Sequence, residues 1–298
     1  MQIDRILGFH HLSEKDLWVP ATKQIFFDPA DTEVGAWVGC DLLEEGSTVV
    51  DLGSGSGAAA AAFSRCGAAS VLGVDISTES IDWARSQYSP AENKFLSFVE
   101  ADFTTISAED LISAIPGKSV PDVVTTNPAY VPLESDQGSL FTSIYGGPDG
   151  LRFVPSALRL ATAFGSKLGL TIGSYSSPRK AVGLLASHGF YVQGVTLAAL
   201  ELGNLTKQNP GRILALESTG QAVLWRHERV GYLIVGLSCV RTGRVSSPTP
   251  DQLMQILSCA SLSLTNELEL LLDDSVPGLA DFSVRVLVLP TPSARQHW

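Results

Sequence analysis

Long apolar runs are missing from this chain. The longest lies around Tyr232-Leu233-Ile234-Val235-Gly236-Leu237. It is far shorter than the roughly 20 residues needed to cross a bilayer, which removes membrane-spanning roles. The opening, Met1 to Arg5, mixes an acid and a base and leads into no apolar stretch. It does not read as a signal peptide, and a cytoplasmic protein is expected. Cysteine is scarce: Cys40, Cys66, Cys239 and Cys259 stand far apart with no Cys-x-x-Cys pair. That spacing gives no zinc signature, and reduced interior thiols are expected. The five histidines form no His-Glu-x-x-His pattern, so no metal is expected. His10, His11 and His227 remain as bases if the chemistry needs one. Basic residues are few, 20 against 31 acids, for a net charge of −11. Binding to phosphate backbones depends on neutralisation by Lys and Arg. No basic stripe interleaved with aromatics compensates, so no nucleic-acid partner is expected. What remains, 298 residues that are 45% hydrophobic, is enough to bury the core of one large α/β domain, alone or with an accessory piece.

Glycine is where the chain is rich. Val49-Val50-Asp51-Leu52-Gly53-Ser54-Gly55-Ser56-Gly57 leads into an Ala-rich stretch. The apolar start reads as a short buried parallel strand. Alternate glycines let the backbone take positive φ and approach a ligand closely. Strand, glycine turn and helix is a layout that binds nucleotide-like ligands at the carboxyl end of a sheet. The third glycine comes one residue too early for the dinucleotide fingerprint, and no Gly-Lys-Ser/Thr follows for a phosphate loop. Asp51 would repel a pyrophosphate but suits a cation or an amino group. The expected ligand is therefore nucleoside-like and positively charged.

Three further strands deliver polar groups to the same end of that sheet. Ser70 to Ser77 carries Asp75, placed to accept hydrogen bonds from ribose hydroxyls. Leu96 to Phe103 ends in Asp102, placed for an exocyclic amine, with Phe103 able to cover a ring. Asp122 to Thr126 runs into Asn127-Pro128-Ala129-Tyr130. The Asn127 side-chain oxygen and the Pro128 carbonyl can each accept one N–H of an –NH2 group, and the Tyr130 ring can lie on the face of an amide or heterocycle. Any one of these acids alone reads equally well as a helix cap or turn residue. Four strand ends in register outweigh that reading.

On these residues the chain resembles class I S-adenosylmethionine-dependent methyltransferases, and within them the HemK-type glutamine methyltransferases. Asp51-Leu52-Gly53-Ser54-Gly55-Ser56-Gly57 is similar to their first motif, and Val74-Asp75-Ile76-Ser77 to their ribose motif. Asn127-Pro128-Ala129-Tyr130-Val131-Pro132 resembles Asn-Pro-Pro-Tyr-Ile/Val-Pro, and Gly146-Gly147-Pro148-Asp149-Gly150-Leu151 resembles the segment that follows it. Phe27-Asp28-Pro29-Ala30-Asp31-Thr32-Glu33 resembles the family's upstream Ile-Pro-Arg-Pro-Asp/Glu-Thr-Glu. The resemblance spans roughly residues 20 to 195. It implies S-adenosylmethionine as cofactor, held by Asp51, Gly53, Gly55, Gly57, Asp75, Ile76, Asp102, Phe103 and Asn127. It also implies methyl transfer to nitrogen, with Asn127, Pro128 and Tyr130 as the catalytic set. Asp31 to Glu33 are candidates to close over the site.

The chain departs from that family at three places. Ala129 replaces the second proline, the upstream arginine is missing, and only about fifty residues precede the glycine turn. The family's long N-terminal domain is associated with recognition of its protein substrate. Its lack turns the expectation toward an amide or amine of a small molecule or peptide, with protein glutamine as the alternative. A cofactor-binding protein without transfer is the other class, hinted at by Ala129. The low count of bases speaks against DNA adenine methylation, which uses a related Asn-Pro-Pro-Tyr motif.

The expected architecture is α/β: a doubly wound, seven-stranded Rossmann-like methyltransferase sheet over residues 46–240. A short N-terminal cap with helical pieces covers 1–45. An insertion at 201–228 is expected to act as a lid at the sheet rim. Residues 241–298 read as a small C-terminal extension, offering an oligomer contact. In it, 251–262 and 265–272 have helical periodicity, and 282–289 alternates as a strand does.

Overall fold

The computed structural model describes residues 2–88, 95–134, 143–226, 229–241, 247–262 and 282–290. Ten strands form one sheet. They are β1 (Gln2–Leu7), β2 (Thr48–Leu52), β3 (Ser70–Asp75), β4 (Leu96–Glu100), β5 (Val123–Thr126), β6 (Lys167–Gly173), β7 (Tyr191–Glu201), β8 (Trp225–Arg226), β9 (Val230–Val240) and β10 (Ser283–Val288). The strand order is β1-β10-β7-β9-β6-β5-β2-β3-β4, with β8 pairing the end of β9. β9 is antiparallel to β6, β7 and β8, and every other neighbouring pair is parallel.

Side chains of these buried strands alternate between two cores, as the pleat demands. Val50, Leu72 and Val124 face one core, shared with helices α4 (Ala108–Ala114), α5 (Val154–Phe164), α6 (Pro178–Ser187) and α9 (Pro250–Leu262). Val49, Val71 and Val123 face the other, shared with α2 (Ala58–Arg65) and α3 (Thr78–Gln87). Helix α1 (Pro29–Cys40) contacts β5, β6, β7 and β9. It starts where Asp28 accepts from the amides of Ala30 (3.1 Å) and Asp31 (3.3 Å), with Pro29 at the first helical position. α1 lies close on the sheet because Gly236 faces it. A Cβ there would come within 2.3 Å of Val38.

The order of strands places the site. From β2 the chain winds outward to β3 and β4, then returns to β5 on the other flank of β2 and continues to β6. The direction reverses between β2 and β5, and ligands of open α/β sheets bind at the carboxyl ends of such strands.

Two expectations need correction. The described residues form ten strands rather than seven; β1 and β10 come from the two flanks and β8 from the 201–228 insertion. Residues 2–7 are a strand, not a helical piece, and β10 does not belong to a unit set apart. β10 lies between β1 and β7, with Val284 opposite Ile3 on one side and Val195 on the other. Parallel pairing between residues as far apart as Ile3 and Val284 leaves no local trace in the sequence. The helical pattern expected at 251–262 is α9, and 265–272 lies outside the described residues. The segment 201–226 forms α7 (Asn204–Gln208), α8 (Gly211–Ser218) and β8.

Candidate active site

The first turn, after β2, is glycine-built for a steric reason. Gly53, Gly55 and Gly57 take φ of +73°, +51° and +83°, a region costly for any residue with a Cβ. The turn is bolted to the end of β3. The amides of Gly53 (2.8 Å) and Ser54 (3.0 Å) donate to the Val74 carbonyl. That of Gly55 donates to Asp75 Oδ2 at 2.8 Å. Asp75 Oδ1 accepts from the Ser77 amide at 2.9 Å. The Ile76 amide also donates to this carboxylate, which with two lone-pair sites on each oxygen still retains accepting capacity toward a ligand. Burial pushes the Asp75 pKa up.

After β4, Asp102 Oδ1 accepts from the Thr104 amide (2.8 Å) and hydroxyl (2.6 Å). These bonds aim the carboxylate and leave Oδ2 for a ligand. Phe103 lies beside it, 5.8 Å from Phe153 between ring centroids. Ile76 is 68% exposed, an apolar side chain with no core to enter.

After β5 comes Asn127-Pro128-Ala129-Tyr130. Thr126 donates its hydroxyl to the Leu52 carbonyl at 2.8 Å, fixing β5 to β2 at the crevice. Asn127 Oδ1 is buried and has no hydrogen-bond partner. Leaving such an acceptor unpaired costs about 1–3 kcal/mol. Tyr130 is buried, and its hydroxyl donates to Asp31 Oδ1 at 2.8 Å. Burial first, then the Asp31 charge, holds its pKa well above the ordinary tyrosine value. Its phenol therefore stays protonated and serves as a hydrogen-bond donor.

The Gly146–Leu151 segment packs on this turn, which accounts for its glycines. A Cβ on Gly146 would sit 2.6 Å from the Tyr130 backbone, and one on Gly150 would sit 2.6 Å from the Tyr130 carbonyl oxygen. Ser176 donates to that same oxygen at 2.7 Å. Asp149 accepts from the Leu151 amide at 3.0 Å and pairs with Lys180 at 2.5 Å.

These turns enclose a cavity of about 920 Å³. Of the sequence-predicted residues, Gly53, Gly55, Asp75, Ile76, Asp102, Phe103, Asn127, Pro128 and Tyr130 line it. Asp51 and Gly57 do not. Gly57 caps α2, pressed against Ala84 and Phe98. Asp51 lies behind the wall, accepting the Thr125 hydroxyl at 2.8 Å, and burial pushes its pKa up to about 7. Its expected role as a carboxylate facing a positive group therefore has no place on the wall. Asp31 lines the cavity, but Glu33 does not. Glu33 is fully buried, accepting the backbone amides of His10 (2.8 Å), His11 (3.0 Å) and Leu12 (3.0 Å). It pins the N-terminal loop to α1. Neither His10 nor His11 reaches the cavity, and His227 lies outside the described residues.

Lys23, Gln24, Ser143, Arg152 and Phe153 also line the cavity and were not singled out from the sequence. They sit on loops whose sequence carries no spacing signal. No residue of 201–226 lines it. Leu202, Ile213, Leu216 and Leu224 pack instead in the same cluster as Tyr130, Val131 and Tyr232. The segment expected as a lid stands behind the Tyr130 side of the cavity. Among the described lining residues the acids Asp31, Asp75, Glu79 and Asp102 face the bases Lys23 and Arg152. That balance favours a cationic ligand.

Residues 49–116 match a family model described as a methyltransferase domain. No curated protein matches the chain. Among solved structures, a precorrin-6y C5,15-methyltransferase from Geobacter metallireducens is similar at 16% identity, over 77% of this chain and 99% of that one, with a TM-score of 0.45. A ribosomal protein L11 methylase from Lactobacillus delbrueckii subsp. bulgaricus is similar at 16% identity, over 80% and 95%, with a TM-score of 0.38. An S-adenosylmethionine-dependent methyltransferase from Corynebacterium glutamicum is similar at 14% identity, over 69% and 86%, with a TM-score of 0.38.

The domain match falls on β2, β3, β4 and α4, the part of the sheet that carries the glycine turn, Asp75 and Asp102. Residues 49–116 carry a methyltransferase domain. The cavity beside it fits S-adenosylmethionine. Asp75 has free accepting positions for ribose hydroxyls, Asp102 Oδ2 is open to the adenine amine, and the acidic wall suits a sulfonium and an ammonium group.

Proposed function

We propose that this enzyme methylates nitrogen, and that its acceptor is an amide or amine of a small molecule or peptide. The observation that carries the reading is the unpartnered, buried Asn127 Oδ1 on the cavity wall. An unpaired buried acceptor costs free energy, and a partner that fills the cavity can recover it. An N–H of the acceptor satisfies it. The Pro128 carbonyl is the second acceptor in this reading. Together they orient the nitrogen and stabilise the positive charge that develops there before the proton leaves. Tyr130, locked by Asp31 and Ser176, supplies a rigid face for the acceptor group. The cofactor supplies an activated methyl group, so the residues contribute mainly alignment, which is worth up to about 7–11 kcal/mol in well-organised cases.

The amide version of this reading draws on the HemK resemblance. The Gly146–Leu151 segment clamps the Asn127–Tyr130 turn through Gly146 and Gly150, so both segments of the resemblance act on one structure. Ala129 does not disturb it. Tyr130 is held by Asp31, Ser176 and the Gly146 and Gly150 contacts rather than by the ring of a second proline. Protein glutamine stays as the narrower form of the same chemistry, and a cytoplasmic site of action is part of this reading. A cavity of about 920 Å³ is at the upper end of the range for small-ligand pockets, room for a cofactor with a compact acceptor group.

The test is a screen with methyl-labelled cofactor against primary amides, glutamine peptides and amines. Transfer to nitrogen in the wild type is expected to fall about 10²–10³-fold in Asn127→Ala, the usual loss for one oriented hydrogen-bonding group. Transfer to oxygen or carbon, or equal activity of the variant, refutes the proposal.

A further inference from the structure

Away from the cavity, three side chains distant in sequence meet where the N-terminal loop crosses the ends of α1 and α2. Cys40 is the last residue of α1, and Cys66 caps α2. His11 comes from the loop pinned by Glu33. One ligand atom from each lies within 4.8 Å of the other two. Cys66 Sγ is 3.3 Å from His11 Nδ1.

The His11 ring is held in place rather than free to swing. It stands edge-on to Trp37, 4.3 Å between centroids at 78°. Its own carbonyl accepts from Arg65 at 2.8 Å, and Arg65 is in turn paired with buried Asp16 at 2.5 Å. The helix ends are equally fixed, since Gly39 lets Phe63 of α2 pack directly on α1.

We propose that His11, Cys40 and Cys66 form a binding site for one thiophilic divalent cation of the zinc type. Tetrahedral zinc, with bonds of about 2.3 Å to sulfur and about 2.0 Å to nitrogen, spaces those two atoms by about 3.5 Å. The existing Sγ–Nδ1 separation needs only a small adjustment. Two thiolates and a neutral imidazole leave a divalent ion with no net charge, which suits a half-buried position. Binding releases the two thiol protons to solvent and sets the His11 tautomer with its proton on Nε2. Cys66 is exposed, so water or another ligand can take the fourth position. None of the three residues lines the catalytic cavity. The ion therefore acts as a staple joining the N-terminal loop, α1 and α2.

The test uses the full chain, reduced, stripped of metal and titrated with Co²⁺. One equivalent is expected to give a thiolate-to-cobalt charge-transfer band and the visible bands of tetrahedral cobalt, both abolished by Zn²⁺. Cys66→Ser should weaken Zn²⁺ binding at least 100-fold, measured against a chromophoric chelator, and His11→Ala should also weaken it. Cys259→Ser should leave it unchanged. Cys66 is at the surface, so its serine variant is expected to fold, as checked by its binding of S-adenosylhomocysteine. Absence of the charge-transfer band in reduced wild type overturns the proposal. So does its survival in Cys66→Ser, or its loss in Cys259→Ser.

Discussion

Two strand-end acids separate structure from chemistry. Asp51 and Asp75 are both acids at strand ends, and the sequence ranks them alike. Asp75 faces the cavity with amide donors on each oxygen. Asp51 is buried behind it, and its pKa rises to about 7 through desolvation. That shift has a consequence for stability. A carboxyl whose folded pKa is raised contributes most below its unfolded pKa, near 4, and loses that contribution as pH rises to about 7. The slope in that window is at most about 1.4 kcal/mol per pH unit. Asp51→Asn is expected to flatten the fall in stability between pH 4 and 7 and to raise stability at pH 8. Denaturant unfolding across pH checks both. A wild-type curve with no fall in that window contradicts the burial of a neutral carboxyl.

The same scale shows what was legible. The four strand ends carrying Asp51, Asp75, Asp102 and Asn127 were readable because each follows an apolar run. The depth of Asp51 was not, since burial depends on Thr125 and β5, over seventy residues away. Asp31 was visible only through the likeness of its segment to a known motif. Its bond to Tyr130 joins residues 99 apart. Glu33, two positions on, serves the loop at His10 to Leu12 rather than the cavity, and nothing local distinguishes the two acids.

Among elements, the turn after β5 and the Gly146–Leu151 segment behave as one unit. Val131 pairs with Tyr145 as a parallel bridge, and the Gly146 amide donates to the Val131 carbonyl at 2.9 Å. Gly150 has a φ of +79° and no room for a Cβ beside Ser176 and the Tyr130 carbonyl. Gly150→Ala is expected to cost about 2 kcal/mol or more in stability, from strain and overpacking together. It should also lower transfer by displacing Tyr130. Gly183→Ala, inside α6 with open space around it, is the control, expected to be neutral or slightly stabilising. Thermal unfolding of the two variants separates a specific close approach from a general intolerance of alanine. The insertion at 201–228 was readable as a rim excursion before the last long strand. Its packing against the Tyr130 cluster was not, because apolar spacing reports that a face is buried and not what buries it.

The whole molecule is one ten-stranded sheet in which the two flanking segments complete an edge. β7 would be an edge strand without β10, and β10 would be one without β1. Unpaired parallel edges invite association with other chains. Deleting residues 282–298 is therefore expected to lower the melting temperature and promote aggregation. Deletion of a separate appended unit would leave the melting temperature unchanged. The alternation in 282–289 was legible as a strand. Its place between β7 and β1 was not, since parallel neighbours are chosen by the three-dimensional path of the chain. The winding of the sheet puts the glycine turn and Asn127 on opposite sides of one crevice, which predicts a division of labour across it. Calorimetric titration of S-adenosylhomocysteine into wild type, Asp75→Ala and Asn127→Ala tests that division most directly. The wild type is expected to bind, Asp75→Ala to bind at least tenfold more weakly, and Asn127→Ala to match the wild type within a few fold. An Asn127→Ala variant as impaired as Asp75→Ala, or a wild type that does not bind, would contradict the account.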